Sequence, residues 1–326
     1  MFETLADGYW MSDDLAHWTF ITPSKWPTSG VVAPAVWSDG QRLYMLPATT
    51  APTAIFVSVH PETGTLDYLT RRMPDLPNAL AQGQDEKAFP GKIPPGPWDP
   101  ALFKDDDGRW YLYWNSSNVW PLYGIELDPA KKLAYIGQPQ PLLTLHPDVH
   151  GWERFGQDHS GTLPNGTPIA PFVEGAWMTK IGPRYYLQYG APGTEYNAYA
   201  NGTYVGDKPL GPFTYAPWNP IAYKPGGFVQ GAGHGSTFSD RFGNLWNSGT
   251  RGSATTGPSS GASTCSLAAV GPTGRSAFQP ASPTSRTIRR PAGSTIPRAC
   301  SPAGCCCPTA SRSSPPRPWA RSPPTA

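Results

Sequence analysis

Residues 98–114 read WDPALFKDDDGRWYLYW. Two short apolar runs, 101–103 and 110–114, flank a polar segment that contains an Asp-Gly pair. A short strand, a glycine-containing turn and a second short strand together form the sequence signal of a β-hairpin. The segment is therefore predicted to be a hairpin whose first strand is preceded by the carboxylate of Asp99.

The same pattern occurs four times in the chain. The units cover residues 32–46, 98–113, 173–187 and 233–246, and their starting positions are Ala33, Asp99, Glu174 and His234. These positions are separated by 66, 75 and 60 residues. A long period with one hairpin per unit is typical of the four-stranded blades of a β-propeller. We therefore predict an all-β fold in which the starting position of each innermost strand faces one central funnel.

The segment before the first unit, residues 8–18, resembles the outer half of another blade. Its inner hairpin would have to lie upstream of Met1. If that hairpin is counted, residues 1–250 are expected to form an N-terminally truncated, incomplete five-bladed β-propeller that carries the catalytic site.

Residues 251–326 differ sharply from this body. They contain nine arginines and all five cysteines, Cys265, Cys300, Cys305, Cys306 and Cys307, but no lysine, aspartate or glutamate. The body therefore has 16 basic against 23 acidic residues, a net charge of −7, although the whole chain has +2. Because this tail is rich in proline, serine and glycine, it cannot bury enough apolar area to offset chain entropy. It is predicted to be a disordered, low-complexity tail.

A shift of reading frame near Thr250 is expected to explain the tail. If its codons are read out of frame by one base, residues 250–261 can encode Pro-Trp-Ile-Gly-Tyr-Asn-Trp-Thr-Phe-Glu-Arg, which restores the composition of the body. A basic arm for nucleic acid or membranes is disfavoured because lysine is absent. A zinc site is disfavoured because no histidine lies near Cys300 or the three adjacent cysteines.

Two of the aligned starting positions are carboxylates, which suggests glycoside hydrolysis. In that reaction one acid protonates the leaving oxygen while another group activates water. Phe172, Val173 and Trp177 surround Glu174 in sequence, and an apolar setting would favour its protonated form, as a general acid requires. Asp99 would support that form through like-charge coupling. The plainer alternative is that Asp99 caps a turn and Glu174 pairs with an arginine.

The motifs together resemble glycoside hydrolase family 43, the five-bladed arabinofuranosidases and β-xylosidases. The resemblance covers roughly residues 8–250 and is carried by APAVW at 33–37, WDPALF at 98–103, VEGAW at 173–177 and GHGS at 233–236. It implies an inverting mechanism in which Glu174 is the general acid. Asp99 would tune the pKa of Glu174 and orient the substrate. It also implies that His234 supports a structural calcium ion or a water at the funnel centre.

The resemblance also implies a third acid, an Asp that serves as general base in the first inner strand. That strand is expected to be missing, and Asp7, Asp13 and Asp14 are poor substitutes because they lie in the outer half of the blade. Loss of a general base typically costs about 10²- to 10⁴-fold in rate. This chain is therefore predicted to be nearly inactive.

The expected partner is a carbohydrate from plant-type polysaccharides, and the aromatic side chains of Trp37, Trp98 and Trp177, with His234, are candidates for binding it. A non-catalytic sugar-binding propeller is the main alternative, and a protein-interaction propeller is a weaker one. Neither nucleic acid nor a membrane is expected as a partner, and the sequence leaves the oligomeric state open. No signal sequence follows Met1, although family members are commonly exported, so the parent protein is expected to be secreted or periplasmic.

Overall fold

The computed structural model describes residues 1–2, 6–25, 32–48, 54–84, 86–226, 229–250, 252–253 and 268–270. Within these ranges the secondary structure consists of strands and four short 3₁₀ helices, Pro61–Thr63, Glu86–Ala88, Pro129–Lys131 and Gly151–Glu153. The predicted all-β fold is therefore confirmed. None of the helices in these ranges is long and apolar enough to cross a membrane.

The strands of the described residues are numbered in chain order. They are β1 Tyr9–Met11, β2 Thr19–Ile21, β3 Ala35–Ser38, β4 Leu43–Leu46, β5 Ile55–Ser58, β6 Asp67–Thr70, β7 Ala101–Lys104, β8 Trp110–Trp114, β9 Leu122–Asp128, β10 Ala134–Leu143, β11 Glu174–Ile181, β12 Arg184–Ala191, β13 Ala200–Gly206, β14 Phe213–Tyr215, β15 Val229–Gln230, β16 Ser236–Ser239, β17 Leu245–Ser248, β18 Gly252–Ser253 and β19 Ala268–Val270.

Three complete sheets dominate the fold. Strands β3–β6, β7–β10 and β11–β14 each form a four-stranded antiparallel meander in sequence order. All four hairpins that the repeats predicted are present, as β3–β4, β7–β8, β11–β12 and β16–β17.

Smaller sheets lie at both ends of the described chain. Strands β1 and β2 pair with each other, and Phe2 bridges to Tyr9 on the other side of β1. Strand β17 pairs with β16 and β19, and β15 pairs with β18. The described part of the tail, residues 252–253 and 268–270, lies in strands β18 and β19. The rest of the predicted disordered tail lies outside the described residues.

The first strands of successive sheets lie side by side. Strand β3 contacts β7, β7 contacts β11, and β11 contacts β16. Successive side chains in the β7–β8 hairpin point to opposite faces of its sheet. The sheet β7–β10 can therefore pack against β3–β6 on one face and against β11–β14 on the other. Leu102 and Leu112 belong to the core shared with β3–β6, whereas Phe103 and Tyr111 belong to the core shared with β11–β14.

Three of the four aligned starting positions have a left-handed backbone. The φ angles are 41° at Ala33, 47° at Asp99 and 43° at His234, and in the remaining unit Gly175, directly after Glu174, has 60°. Aspartate and histidine occur in this conformation more often than most residues other than glycine. The shared turn places Asp99 and His234 at equivalent points, just before their innermost strands.

Candidate active site

The side chains of Asp99, Glu174 and His234 meet although they come from three different sheets. One ligand-type atom of each residue lies within 4.8 Å of the corresponding atoms of the other two. The contacts of β7 with β11 and of β11 with β16 bring the three starting positions together. The convergence of these three starting positions is therefore present in the structure, whereas the central funnel of a propeller stays a prediction.

Glu174 opens β11 and is 8% exposed. The Ser116 hydroxyl donates to its Oε2 at 2.7 Å, and the Tyr199 hydroxyl donates to its Oε1 at 2.6 Å. The contacts of its oxygens are thus two hydroxyls, which differs from the apolar setting that the flanking sequence indicated. An arginine partner, the plainer alternative, is not among the described contacts of this carboxylate.

Asp99 is the most buried member of the cluster, with 4% exposure. Burial raises its pKa to about 7; His234 opposes this rise, and the negative charge of Glu174 adds to it. Among the described residues no hydroxyl or amide hydrogen-bonds to the Asp99 carboxylate, so desolvation is poorly compensated. The pKa of Asp99 is therefore raised, although the sequence interpretation treated Asp99 as a charged partner.

His234 is the most accessible member, with its side chain 27% exposed. Its Nδ1 lies 3.7 Å from Asp99 Oδ2. Calcium prefers six to eight oxygen ligands, whereas this cluster offers one imidazole and two carboxylates, of which Glu174 already binds two hydroxyls. The donor set fits calcium poorly, and the calcium expected at His234 stays a prediction.

The separation of the two carboxylates limits what Asp99 can do. An inverting glycosidase keeps its acid and its base about 6.5–9.5 Å apart so that a water fits between base and sugar. Oxygens of Asp99 and Glu174 lie within 4.8 Å of each other, which is too close for that arrangement. Asp99 therefore suits the role of a tuning and orienting residue better than that of the base.

A third carboxylate is not part of this cluster within the described residues. Asp7, Asp13 and Asp14 are exposed. The Asp14 carboxylate accepts hydrogen bonds from the backbone N–H groups of Ala16 and His17, which fix it in a local turn.

The three tryptophans predicted to bind sugar lie in different surroundings. Trp177 hydrogen-bonds through Nε1 to the Thr237 carbonyl and lines a cavity beside His234. The ring of Trp37 instead packs edge-on against Trp110 at 4.8 Å, between two sheets. Trp98 is half-buried directly before Asp99, and neither it nor Trp37 is among the residues that line the cavity.

The cavity has a volume of about 490 Å³. Its walls come from the β1–β2 region, β3, β11 and the β16–β17 hairpin, and include Trp10, Trp18, Trp177, His234 and Phe238. Sites for small ligands typically have volumes of about 300–1,000 Å³ and combine apolar walls with a few polar groups. The cavity next to the cluster meets this description.

Comparison with known protein families gives a family assignment. The model of glycosyl hydrolases family 43 matches residues 88–265, more than half of the chain, and the match includes Asp99, Glu174 and His234. The chain belongs to glycosyl hydrolase family 43. The resemblance found in the motifs is thus confirmed.

The matches to two curated relatives cover 39% and 38% of the length of those relatives. A β-xylosidase of Xylanibacter ruminicola is 33% identical over 129 residues, which is 36% of this chain and 39% of the relative. A thermostable family-43 glycoside hydrolase of known structure aligns over 80% of both chains with a TM-score of 0.56 and 20% identity. An α-L-arabinofuranosidase of Clostridium thermocellum aligns over 73% of this chain and 69% of its own, with a TM-score of 0.51 and 20% identity. At such identities the structural matches show a shared fold.

Two residues that contact the cluster were not found from the sequence. Ser116 follows β8, and Tyr199 immediately precedes β13, outside the hairpins that the repeat aligned. Neither lies in a recognisable motif, so only the tertiary contacts reveal that both bind Glu174.

Proposed function

We propose that this family 43 chain carries the acid half of a glycoside hydrolase site of the inverting xylosidase or arabinofuranosidase type. The observation that carries the proposal is the meeting of Asp99, Glu174 and His234, of which His234 lines a cavity of about 490 Å³. The propeller proposed for residues 1–250 has five blades. The β1–β2 sheet and the three complete sheets would form four of them, and the β16–β17 hairpin would belong to the fifth.

In the proposed reaction Glu174 protonates the glycosidic oxygen as the bond to the anomeric carbon breaks. The leaving oxygen keeps the bonding electron pair, and water adds to the opposite face of the sugar and loses a proton. An oxygen of Asp99 lies within 4.8 Å of one of Glu174, and Asp99 is proposed to hold the acid and the substrate in position. Trp177, in the cavity wall, is proposed to stack on the sugar.

None of the described residues that line the cavity is an Asp or Glu, so we expect slow turnover. A general base contributes about 10²- to 10⁴-fold in rate. Sodium azide, which needs no deprotonation, should therefore accelerate the release of 4-nitrophenol from 4-nitrophenyl β-xyloside or α-arabinofuranoside and give a glycosyl azide.

The decisive comparison is Glu174→Gln against Glu153→Gln. Glu153 is also buried and also accepts a tyrosine hydroxyl, from Tyr189, but it lies outside the cluster. With a poor leaving group such as 4-methoxyphenol, Glu174→Gln should abolish azide-assisted turnover and leave binding of xylose or arabinose oligosaccharides nearly unchanged. Glu153→Gln should keep turnover per folded molecule. Equal turnover of the two variants would refute the assignment of Glu174.

A sugar-binding protein without turnover is the second candidate. The lack of an Asp or Glu among the described residues that line the cavity favours it. It predicts sugar binding by both the wild type and Glu174→Gln, and no release of 4-nitrophenol from either, with or without azide.

A further inference from the structure

One short segment, residues 199–201, contacts both sides of the cluster. Tyr199 binds Glu174 through its hydroxyl, and its carbonyl accepts the backbone N–H of Ala232, two residues before His234. Glu174 and His234 belong to different sheets, so their relative position depends on such a link.

The Tyr199 hydroxyl is a permanent donor to Glu174. Tyr199 is 3% exposed, and burial, followed by the charge of Glu174, raises its pKa well above the ordinary value. The hydroxyl therefore keeps its proton over the whole pH range in which glycosidases work. Hydrogen bonds to a charged acceptor are about twice as strong as neutral ones.

Two glycines create the space that Tyr199 occupies. A Cβ atom at Gly233 would lie 2.3 Å from the Tyr199 ring, and one at Gly190 would lie 2.7 Å from its hydroxyl oxygen. Both distances are shorter than any real contact, so the ring is confined between two backbone segments. This confinement fixes the direction in which the hydroxyl points.

Asn201 holds the backbone on the other side of His234. Its Nδ2 donates to the Ala232 carbonyl at 2.7 Å, and its Oδ1 accepts the Gly235 N–H at 3.3 Å. Its side chain is fully buried. The left-handed backbone of His234 is thus held from both ends by the segment that also holds Glu174.

The two oxygens of Glu174 have different neighbours. Oε1 is bound by the buried Tyr199 hydroxyl, whereas Oε2 is bound by the hydroxyl of half-buried Ser116, in the loop after β8. A serine hydroxyl can rotate and can either donate or accept. Only Oε2 can therefore exchange its partner without breaking a confined contact.

We propose that Tyr199 is the positioning residue of the site and that the proton which Glu174 delivers is carried on Oε2. In the protonated acid, Ser116 turns to accept from the Oε2 hydroxyl. As that proton moves to the glycosidic oxygen, Glu174 becomes a carboxylate, and the Tyr199 hydrogen bond stabilises its negative charge. This role rests on the proposed function, because it concerns delivery of a proton to a leaving group.

The first test is the dependence of azide-assisted turnover on the leaving group. Tyr199→Phe should lose about 10- to 100-fold in turnover of a glycoside with a poor leaving group, such as 4-methoxyphenol, because a charge-assisted hydrogen bond is lost. With 2,4-dinitrophenol, which leaves without protonation, the loss should be only a few-fold. Tyr189→Phe removes the same hydroxyl from the Tyr189–Glu153 pair and should reduce turnover of both substrates by similar, small factors. Equal losses on the two substrates for Tyr199→Phe would overturn the proposal.

The second test needs no turnover. In a double-mutant cycle of Tyr199→Phe and Glu174→Ala, each of which removes the contact, the two changes should couple by about tenfold in the unfolding equilibrium constant, measured in urea. Additive effects would show that the contact does not hold Glu174 and would refute the positioning role. If the wild type releases no phenol with any substrate or with azide, the proposed hydrolase function fails, whereas the cycle still decides whether Tyr199 holds Glu174.

Discussion

Replacement of Asp99 by Asn should change how the stability of this protein depends on pH. The Asp99 carboxyl has an ordinary pKa of 3.8, which burial raises to about 7 in the fold. Because the folded chain keeps this proton longer than the unfolded chain, the stability from Asp99 is fully present below about pH 4 and is lost as the pH rises through 7. The asparagine amide of the Asp99→Asn variant cannot ionise, so the substitution should remove this loss.

The magnitude follows from the two proton affinities. Each tenfold difference in proton affinity corresponds to about 1.4 kcal/mol, so the total effect is about 4 kcal/mol. About 2.5 kcal/mol of it should be lost between pH 5 and pH 8, because the unfolded carboxyl is already ionised over most of that interval. From pH 5 to pH 8, Asp99→Asn should therefore gain about that much stability relative to the wild type.

Urea unfolding followed by tryptophan fluorescence at the two pH values measures this difference directly. Asp148→Asn is the matched control because Asp148 is exposed, and it should keep the wild-type dependence on pH. Glu174→Gln should move the loss to lower pH, because the charge of Glu174 contributes to the raised pKa of Asp99. Parallel changes in stability of the wild type and Asp99→Asn between pH 5 and pH 8 would refute the assignment.

Three further predictions concern Gly175, the link that Asp105 makes between sheets, and calcium. Gly175→Ala should lower the free energy of unfolding by about 1–3 kcal/mol and weaken sugar binding. The reason is that a Cβ atom at this position would lie 2.8 Å from the His234 Cα and that the backbone φ is 60°. Urea unfolding and calorimetric titration of sugar check this, and an unchanged stability would contradict it. Burial raises the pKa of Asp105, but hydrogen bonds from Lys180 and Tyr185 outweigh it and hold that pKa below its usual value. The link that Asp105 makes between two sheets should therefore weaken on acidification. The acid-unfolding midpoint should depend less on ionic strength in Asp105→Asn than in the wild type. The described members of the cluster offer few free oxygen ligands, so treatment with EDTA followed by excess calcium should leave the melting temperature unchanged; a reproducible rise on adding calcium would instead support the calcium that the resemblance implies at His234.

The sequence was sufficient to predict the hairpins and the alignment of the cluster. Alternating runs around an Asp-Gly or glycine turn depend only on local periodicity, and all four predicted hairpins are present. The equal placement of Asp99, Glu174 and His234 within their units was also enough to predict their convergence, because repeated units present equivalent positions to a common axis.

The charge state and the contacts within the cluster required the tertiary structure. The apolar neighbours of Glu174 in sequence suggested that it would be the desolvated acid, but residues adjacent along a strand point to opposite faces. In the fold Glu174 meets two hydroxyls from distant segments, while Asp99 is buried without such donors among the described residues. Burial therefore raises the pKa of Asp99 to about 7.

The amino-acid sequence by itself was enough to predict the strands, the turns and the type of residue at each starting position, because these follow from local periodicity and from repetition. Only the tertiary structure decided that Trp37 packs between sheets, that Tyr199 and Ser116 bind the two oxygens of Glu174, and that burial raises the pKa of Asp99. Burial and hydrogen bonding between residues far apart in sequence depend on how the sheets are packed, and a local pattern carries no record of that packing.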